Sequence, residues 1–325
     1  MMTMNKRGLL RLAAAVSLAG AAFGSLAQSF PSQRIRILVP YEPGSSVDTT
    51  TRLLADGLSK RLGQTVIVEN KTGGLGMIAM NALLNEPADG YTLLADTPAS
   101  AINPSLYPDK VRYDPVADLQ PVAQMMSLPF ALAVSPSVPA KNLKEFIALA
   151  KAKPGELNAA PGGTSTRLAG ELFAMKAGIK LTAIPYKGAS SAMTAVMRDE
   201  AQAIFLDIAN LKPYIESGKM RGLFVTGDKR WAALPDLPTA REAGMPEYDI
   251  GTWFALFARK GTPQPVVDRL NAEVRELMKS PEVRAYLDGR GASPSTRAAA
   301  EFTKFFHDEV ALWKDVISKA NIKIE

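Results

Sequence analysis

Two short loops carry the residues with the most chemical potential. The first is Tyr41-Glu42-Pro43-Gly44-Ser45-Ser46, between the apolar run Ile35–Val39 and an amphipathic stretch from Asp48 to Leu62. The second is Gly162-Gly163-Thr164-Ser165, between Leu157–Ala160 and a helical pattern from Arg167 to Lys176. A strand–turn–helix passage of this kind ends in a helix N-terminus, where backbone N–H groups lack partners and carry partial positive charge. Such a place suits an anion. Gly44 lets the backbone come close to a bound group. Ser45 and Asp48 stand at capping-box spacing, so the pair either caps its helix or meets a ligand.

Further polar residues stand at the ends of other apolar runs. Thr97 follows Tyr91–Ala95, the Tyr186-Lys187-Gly188 turn follows Leu181–Pro185, and Asp207 ends Ala203–Leu206. Arg167 could grip a distal carboxylate bidentately or form a surface pair. Lys187 could approach an anion or keep its charge in water. Asp207 could face a ligand or cap the next segment. Glu42 and Asp207 together leave open a ligand that carries an amine or amide beside its carboxylate.

The inventory also excludes chemistry. The chain has no Cys and a single His, His307, so thiol catalysis and His/Cys metal clusters are ruled out. His307 lies off the Phe305/Phe306/Trp313 stripe and is expected on a solvated helix face. No G-x-S-x-G turn presents a serine nucleophile. Gly74-Leu-Gly76-Met-Ile-Ala79 matches the dinucleotide fingerprint G-x-G-x-x-A, with Asp96 beyond it. However, Asn70 to Gly73 separate the motif from its strand, whereas the fingerprint's first glycine closes the turn directly. The better reading is an N–H-rich loop lining a cleft, with Gly74 in it. No cofactor and no metal are expected.

The elements that must position these loops alternate along the chain. Strands are expected at Ile35–Val39, Val66–Glu69, Tyr91–Ala95, Phe130–Val134, Leu157–Ala160, Leu181–Tyr186, Ala203–Leu206 and Arg221–Thr226. Helices are expected at Asp48–Leu62, Ile78–Leu84, from Asn142 with Glu145 at the capping-box position, Arg167–Lys176, and from Thr262-Pro263 onward. The passage from Pro98 to Pro121 reads as an irregular excursion. The last helix carries Phe302, Phe305, Phe306, Trp313, Val316, Ile317 and Ala320 at helical spacing, a core stripe. Strand–helix alternation predicts parallel sheets covered by helices. Crossing strands near residues 125–130 and 245–253 would form a hinge.

Residues 1–27 read as a secretory leader: Lys6, Arg7 and Arg11, an apolar run from Leu12 to Phe23, then Ser25-Leu26-Ala27 as a cleavage site. The net charge of +6 loses these three cations on cleavage, leaving 35 cations against 32 anions, or +3. With no basic block interleaved with aromatics, nucleic acid is not an expected partner.

The chain resembles the periplasmic solute-binding proteins of tripartite tricarboxylate transporters, the Bug family. The resemblance rests on Val39-Pro40-Tyr41-Glu42-Pro43-Gly44 through Asp48 and Arg52, Asp89-Gly90-Tyr91-Thr92-Leu93, Ala101 to Tyr107, Leu168 to Phe173, Pro185-Tyr186-Lys187-Gly188, Leu234-Pro235-Asp236 and Trp253-Phe254. It covers nearly the whole mature chain. It implies a two-domain α/β flytrap fold, each domain a mainly parallel sheet flanked by helices, with the ligand cleft between them. The expected division is 28–128 plus 251–325 for one domain and 129–250 for the other. It also implies a monomer in the periplasm that delivers a small organic acid to membrane subunits of the transporter. The ligand would be held by backbone N–H groups of Tyr41 to Asp48 and of Gly162 to Thr166, with the Tyr186-Lys187-Gly188 turn and Asp207 on the wall. Three departures bear on the ligand: Ser45-Ser46 where a second glycine is usual, Glu42 where a small or apolar residue is usual, and Arg167 where His is frequent. The alternatives are an exported α/β enzyme acting on a small carboxylate, and a binding protein that serves a receptor.

Overall fold

The computed structural model describes residues 30–319 and 322, apart from 187, 228 and 249; the expected leader lies outside these. The chain runs β1 (Ile35–Val39), α1 (Ser46–Leu62), β2 (Val66–Asn70), α2 (Met77–Leu84), β3 (Thr92–Asp96), α3 (Ala99–Leu106) and the long β4 (Leu119–Val134). It continues through α4 (Leu143–Ala152), β5 (Asn158–Ala159), α5 (Thr164–Ala177), β6 (Thr182–Ala183), α6 (Ala189–Met197), β7 (Ala203–Asp207), α7 (Ile208–Glu216) and β8 (Arg221–Val225). It ends with β9 (Gly251–Arg259), α8 (Gln264–Leu277), α9 (Pro281–Asp288), β10 (Ser293–Pro294) and α10 (Ala299–Lys319).

The strands form one sheet in the order β2-β1-β3-β9-β4-β7-β5-β6, with β8 and β10 also paired to β4. Pairing is parallel among β2, β1 and β3, and again among β6, β5 and β7. It is antiparallel wherever β4 and β9 take part. The expected parallel pattern therefore holds in the βα units and fails in the middle. There the chain crosses along β4 and returns along its neighbour β9, and neighbours that go out and back are antiparallel.

Strand β4 changes partners at Pro129–Phe130. Up to Pro129 it pairs with β9; from Phe130 it pairs with β7 and, from Ala131, with β8. Gly251 opens β9 opposite Pro129, and a Cβ there would lie 2.4 Å from the Leu128 carbonyl oxygen. Only glycine lets the two backbones press together at this crossing. Gly251→Ala is expected to cost about 1–3 kcal/mol, read as a fall in melting temperature. An unchanged melting temperature would show that the two strands are not in this close contact.

Both faces of the sheet are covered, so the strands carry apolar residues at both parities. Ile35, Ile37 and Val39 pack with Leu54 and Leu58 of α1, Leu270 and Val274 of α8, and Leu287 of α9. Leu38 and Leu94 turn the other way, into a core with Met80 of α2, Ile102 of α3 and Phe302 and Phe306 of α10. In the second half Ala131 and Ala133 pack toward α6 and α7, while Leu132 and Val134 join Phe146 of α4 and Phe173 of α5. The stripe expected on the last helix is buried at Phe302, Phe306, Trp313, Val316 and Ile317 and half-buried at Phe305; Ala320 lies outside the described residues. His307 is a correction. It is half-buried beside Phe306 with its Nε2 shielded from solvent, because the helix packs more of its circumference than the stripe implied.

The excursion from Pro98 to Pro121 is also corrected, since it holds α3 and the start of β4. Pro104 sits inside α3, where it cannot bond the Ser100 carbonyl; the Tyr113 hydroxyl donates to that oxygen instead, at 2.9 Å. Pro121 sits at a register shift of β4, one of the few strand positions that tolerate a missing donor.

Candidate functional site

A cavity of about 510 Å³ lies between the two halves of the sheet, a size suited to a small solute. Leu128, Phe130, Thr252 and Phe254 of β4 and β9 form its floor. One wall comes from the carboxyl ends of β1 and β3, the loop before α2 and the starts of α1 and α3: Pro40, Tyr41, Ser46, Gly73, Leu75, Gly76, Asp96, Thr97, Ala99 and Asn103. The facing wall is Gly162 to Thr166, Ala189, Leu206 and Asp207. Both walls stand at the carboxyl edge of parallel strands, where α/β folds place their sites.

The facing wall is built by two helix N-termini. Gly163 precedes α5 and Gly188 precedes α6, and neither offers a side chain to cap its helix. The first bonded amides are Arg167, to the Gly163 carbonyl, and Ala192, to the Gly188 carbonyl. Among the described residues, no protein acceptor reaches the N–H groups of Thr164, Ser165, Thr166 or Ala189. Side chains close four other helix starts, Ser45 for α1, Asn142 for α4, Asp207 for α7 and Ser280 for α9, while α2, α3 and α8 begin without such a cap. The two open ends are pressed together, since a Cβ on Gly162 would stand 3.0 Å from the Ala189 Cα. Tyr248 steadies α5 from behind by donating to the Ala169 carbonyl at 2.8 Å. Two convergent sets of free N–H groups, each with its helix dipole, make an anion site.

The first wall is braced internally. Asp48, 2% exposed, accepts from the Gly44 N–H at 2.8 Å, from Asn70 Nδ2 at 2.8 Å and from Arg52 Nε at 3.0 Å. Burial pushes its carboxyl up, but the hydrogen bonds from Arg52, Gly44 and Asn70 outweigh this and hold it below the ordinary value. The Ser45 hydroxyl accepts from the Asp48 N–H. Gly44, Ser45 and Asp48 therefore shape the loop and do not line the cavity. Glu42 does not line it either, whereas Tyr41 and Ser46 do.

Tyr41 links the loops after β1 and β3: its hydroxyl donates to Asp96 Oδ1 at 2.9 Å and lies 2.7 Å from the Thr97 hydroxyl. Burial pushes the Tyr41 and Tyr113 phenols well above their usual range, with the nearby Asp96 adding to both shifts. Asp96 is 5% exposed, and burial raises its carboxyl from 3.8 to about 7, against the pull of bonds from the Thr97 N–H and Tyr41. Folding therefore takes up a proton between these two pH values. The stability from this site is highest below about pH 4, falls as the pH rises to about 7, and then stays low. Asp96→Asn, which keeps an acceptor for Tyr41, is expected to stabilise the unliganded protein by on the order of 2 kcal/mol at pH 8 and to change little at pH 4. Melting curves at the two pH values check this; an equal effect at both would contradict it.

The remaining expected residues are placed as follows. Gly162, Gly163, Thr164, Ser165, Thr97 and Asp207 line the cavity. Asp207 also caps α7, accepting from the Asn210 N–H at 3.1 Å and from its Nδ2 at 2.7 Å; burial raises its carboxyl against those bonds. Gly74 and Gly188 are next in sequence to lining residues, but neither they nor Tyr186 lines the cavity. Lys187 lies outside the described residues. Arg167 faces away, into a small pocket with Gly170, Glu171 and Phe205, where burial raises the Glu171 carboxyl and Arg167 lowers it. Sequence reasoning passed over Asp96 and Asn103 as site residues. Asp96 had a signal, because β3 and β7 both end in Asp at the cleft. Asn103 had none, since its passage did not read as a helix.

A family profile described as "Tripartite tricarboxylate transporter family receptor" matches residues 50–322. The chain is 33% identical over 316 residues to Protein BugT of Bordetella pertussis, covering 95% of this chain and 96% of the relative. Among solved structures it is similar to a Rhodopseudomonas palustris protein with adipate, at 32% identity and a TM-score of 0.78 over 90% of this chain and 99% of that one. It is also similar to MatC from Rhodopseudomonas palustris with bound malate, at 30% identity and a TM-score of 0.75 over 89% and 100% of the two chains.

Proposed function

We propose, from the premise that the chain belongs to the tripartite tricarboxylate transporter receptor family, that it captures a small carboxylate in its cleft and hands it to the membrane subunits of such a transporter. The observation that carries this reading is the pair of uncapped helix ends at α5 and α6, whose N–H groups converge on one side of the cavity. A carboxylate oxygen placed there would accept several main-chain bonds and gain from both helix dipoles. Two similar structures, bound to adipate and malate, support an organic acid as the guest.

In this reading residues 28–128 with 251–325 form one lobe and 129–250 the other, and closure about β4 and β9 buries the solute. The protein binds its solute without transforming it. It works as an exported monomer in the periplasm after loss of its leader. No described helix is long and apolar enough to cross a membrane.

The test is mass spectrometry of solute released on gentle denaturation, followed by calorimetry and thermal shift with a panel of organic acids. A retained organic acid that returns unchanged and raises the melting temperature with concentration is the expected result. Turnover of a bound acid would favour the enzyme alternative. No stabilisation by any carboxylate would refute the proposal.

A further inference from the structure

On the first wall, opposite the helix ends, the cleft has a set of acceptors without donors. Asn103 lines the cavity and is only 5% exposed. Its Nδ2 donates to the Leu75 carbonyl at 3.1 Å, which fixes the orientation of the amide and makes its other atom the acceptor. That oxygen, Oδ1, is buried and has no partner among the described residues. A buried acceptor left unpaired costs about 1–3 kcal/mol, and it is retained here at the edge of a ligand-sized space.

Asp96 stands on the same wall. Its Oδ1 accepts from Tyr41 and from the Thr97 N–H, while among the described residues no hydrogen bond reaches Oδ2. The described lining includes two carboxylates, Asp96 and Asp207, and no Lys, Arg or His. Each Asp207 oxygen already accepts one bond from Asn210, so of the lining side-chain amide and carboxylate oxygens Asn103 Oδ1 and Asp96 Oδ2 are the two that no hydrogen bond from the described residues reaches.

We infer that the cleft reads a second group on the same solute, an N–H-bearing end such as an ammonium or a carboxamide, set against Asn103 and Asp96 while the carboxylate sits at the helix ends. The inference rests on the carboxylate-binding reading above and narrows its substrate class. An ammonium or carboxamide nitrogen supplies two or three donors and no acceptor, which matches two acceptors that lack donors. A second carboxylate would set oxygens against oxygens. A methyl end would leave both acceptors dry and unpaired. Arg167, the cation that could have read a second carboxylate, faces the other side of α5.

The experiment is calorimetry at pH 8 with sets of acids of equal length: adipate, its monoamide, the equal-length ω-amino acid and the plain monoacid, and the same set built on succinate. In at least one set the amino acid or the monoamide is expected to bind about ten-fold or more tightly than both the diacid and the monoacid. Asp96→Asn places an N–H₂ where an oxygen was and should narrow or reverse that preference. Asn103→Leu should narrow it as well. The inference is overturned if a diacid binds as tightly as its N–H-bearing counterparts in both sets, or if neither variant moves the preference. If no acid of either set binds, with or without an N–H group, the carboxylate reading itself falls.

Discussion

Ser165→Asp is expected to raise the melting temperature of the unliganded protein and to weaken carboxylate binding about a hundred-fold or more. The two effects have one cause. Ser165 is the second residue of α5, at an N-terminus that no side chain caps. A carboxylate there satisfies open N–H groups and complements the helix dipole, worth roughly 0.3–1 kcal/mol, or about 1–3 °C in a chain of this size. The same carboxylate occupies the place proposed for the solute's carboxylate and repels it. Like charges at a desolvated interface cost several kcal/mol, which makes a hundred-fold loss a modest expectation. Calorimetry and melting curves on the same sample read both quantities. A stabilised variant with undiminished affinity would mean that the solute is held elsewhere.

Asp48→Ala should be among the more destabilising single changes, by about 3 kcal/mol or roughly 6–12 °C. The buried carboxylate holds Gly44, Asn70 and Arg52 together. Its removal strands an N–H group, a side-chain amide and a guanidinium. The folded carboxyl titrates below the ordinary value of 3.8, so its contribution is present above about pH 4 and is lost as the pH falls through the lower folded value. The gap between wild type and variant should accordingly be full at pH 7 and shrink below pH 4. Equal melting temperatures at pH 7 would show that the loop is held by other means.

Asp48 also shows how far the sequence could be read. The spacing of Ser45 and Asp48 identified a helix start, and the structure has Ser45 capping α1 there. The spacing could not say that Asp48 would be consumed by Gly44, Asn70 and Arg52: Arg52 lies one helical turn on and is in local reach, but Asn70 reaches it only once β2 pairs with β1. The Asn142–Glu145 cap was legible because it depends on residues within one turn. The α3 helix was not, because Pro104 is tolerated only with help from Tyr113, nine residues on. Arg167 illustrates the same limit at the site. One helical step separates it from Thr166, and that step, about 100° around the axis, puts Thr166 on the cleft and Arg167 outside it. Loop positions at strand ends are encoded locally, whereas which atoms remain unpaired within a cleft is decided by the packed whole.

The central claim is that the amides opening α5 and α6 hold the solute's carboxylate. Titrating isotope-labelled protein with the tightest acid of the panel, and following amide proton shifts, tests it residue by residue. The account predicts that Thr164, Ser165, Thr166 and Ala189 show the largest downfield movements, as N–H groups that gain an anionic acceptor. Shifts centred on Arg167 and Glu171, or on the turn around Gly44, with those four amides unmoved, would contradict it.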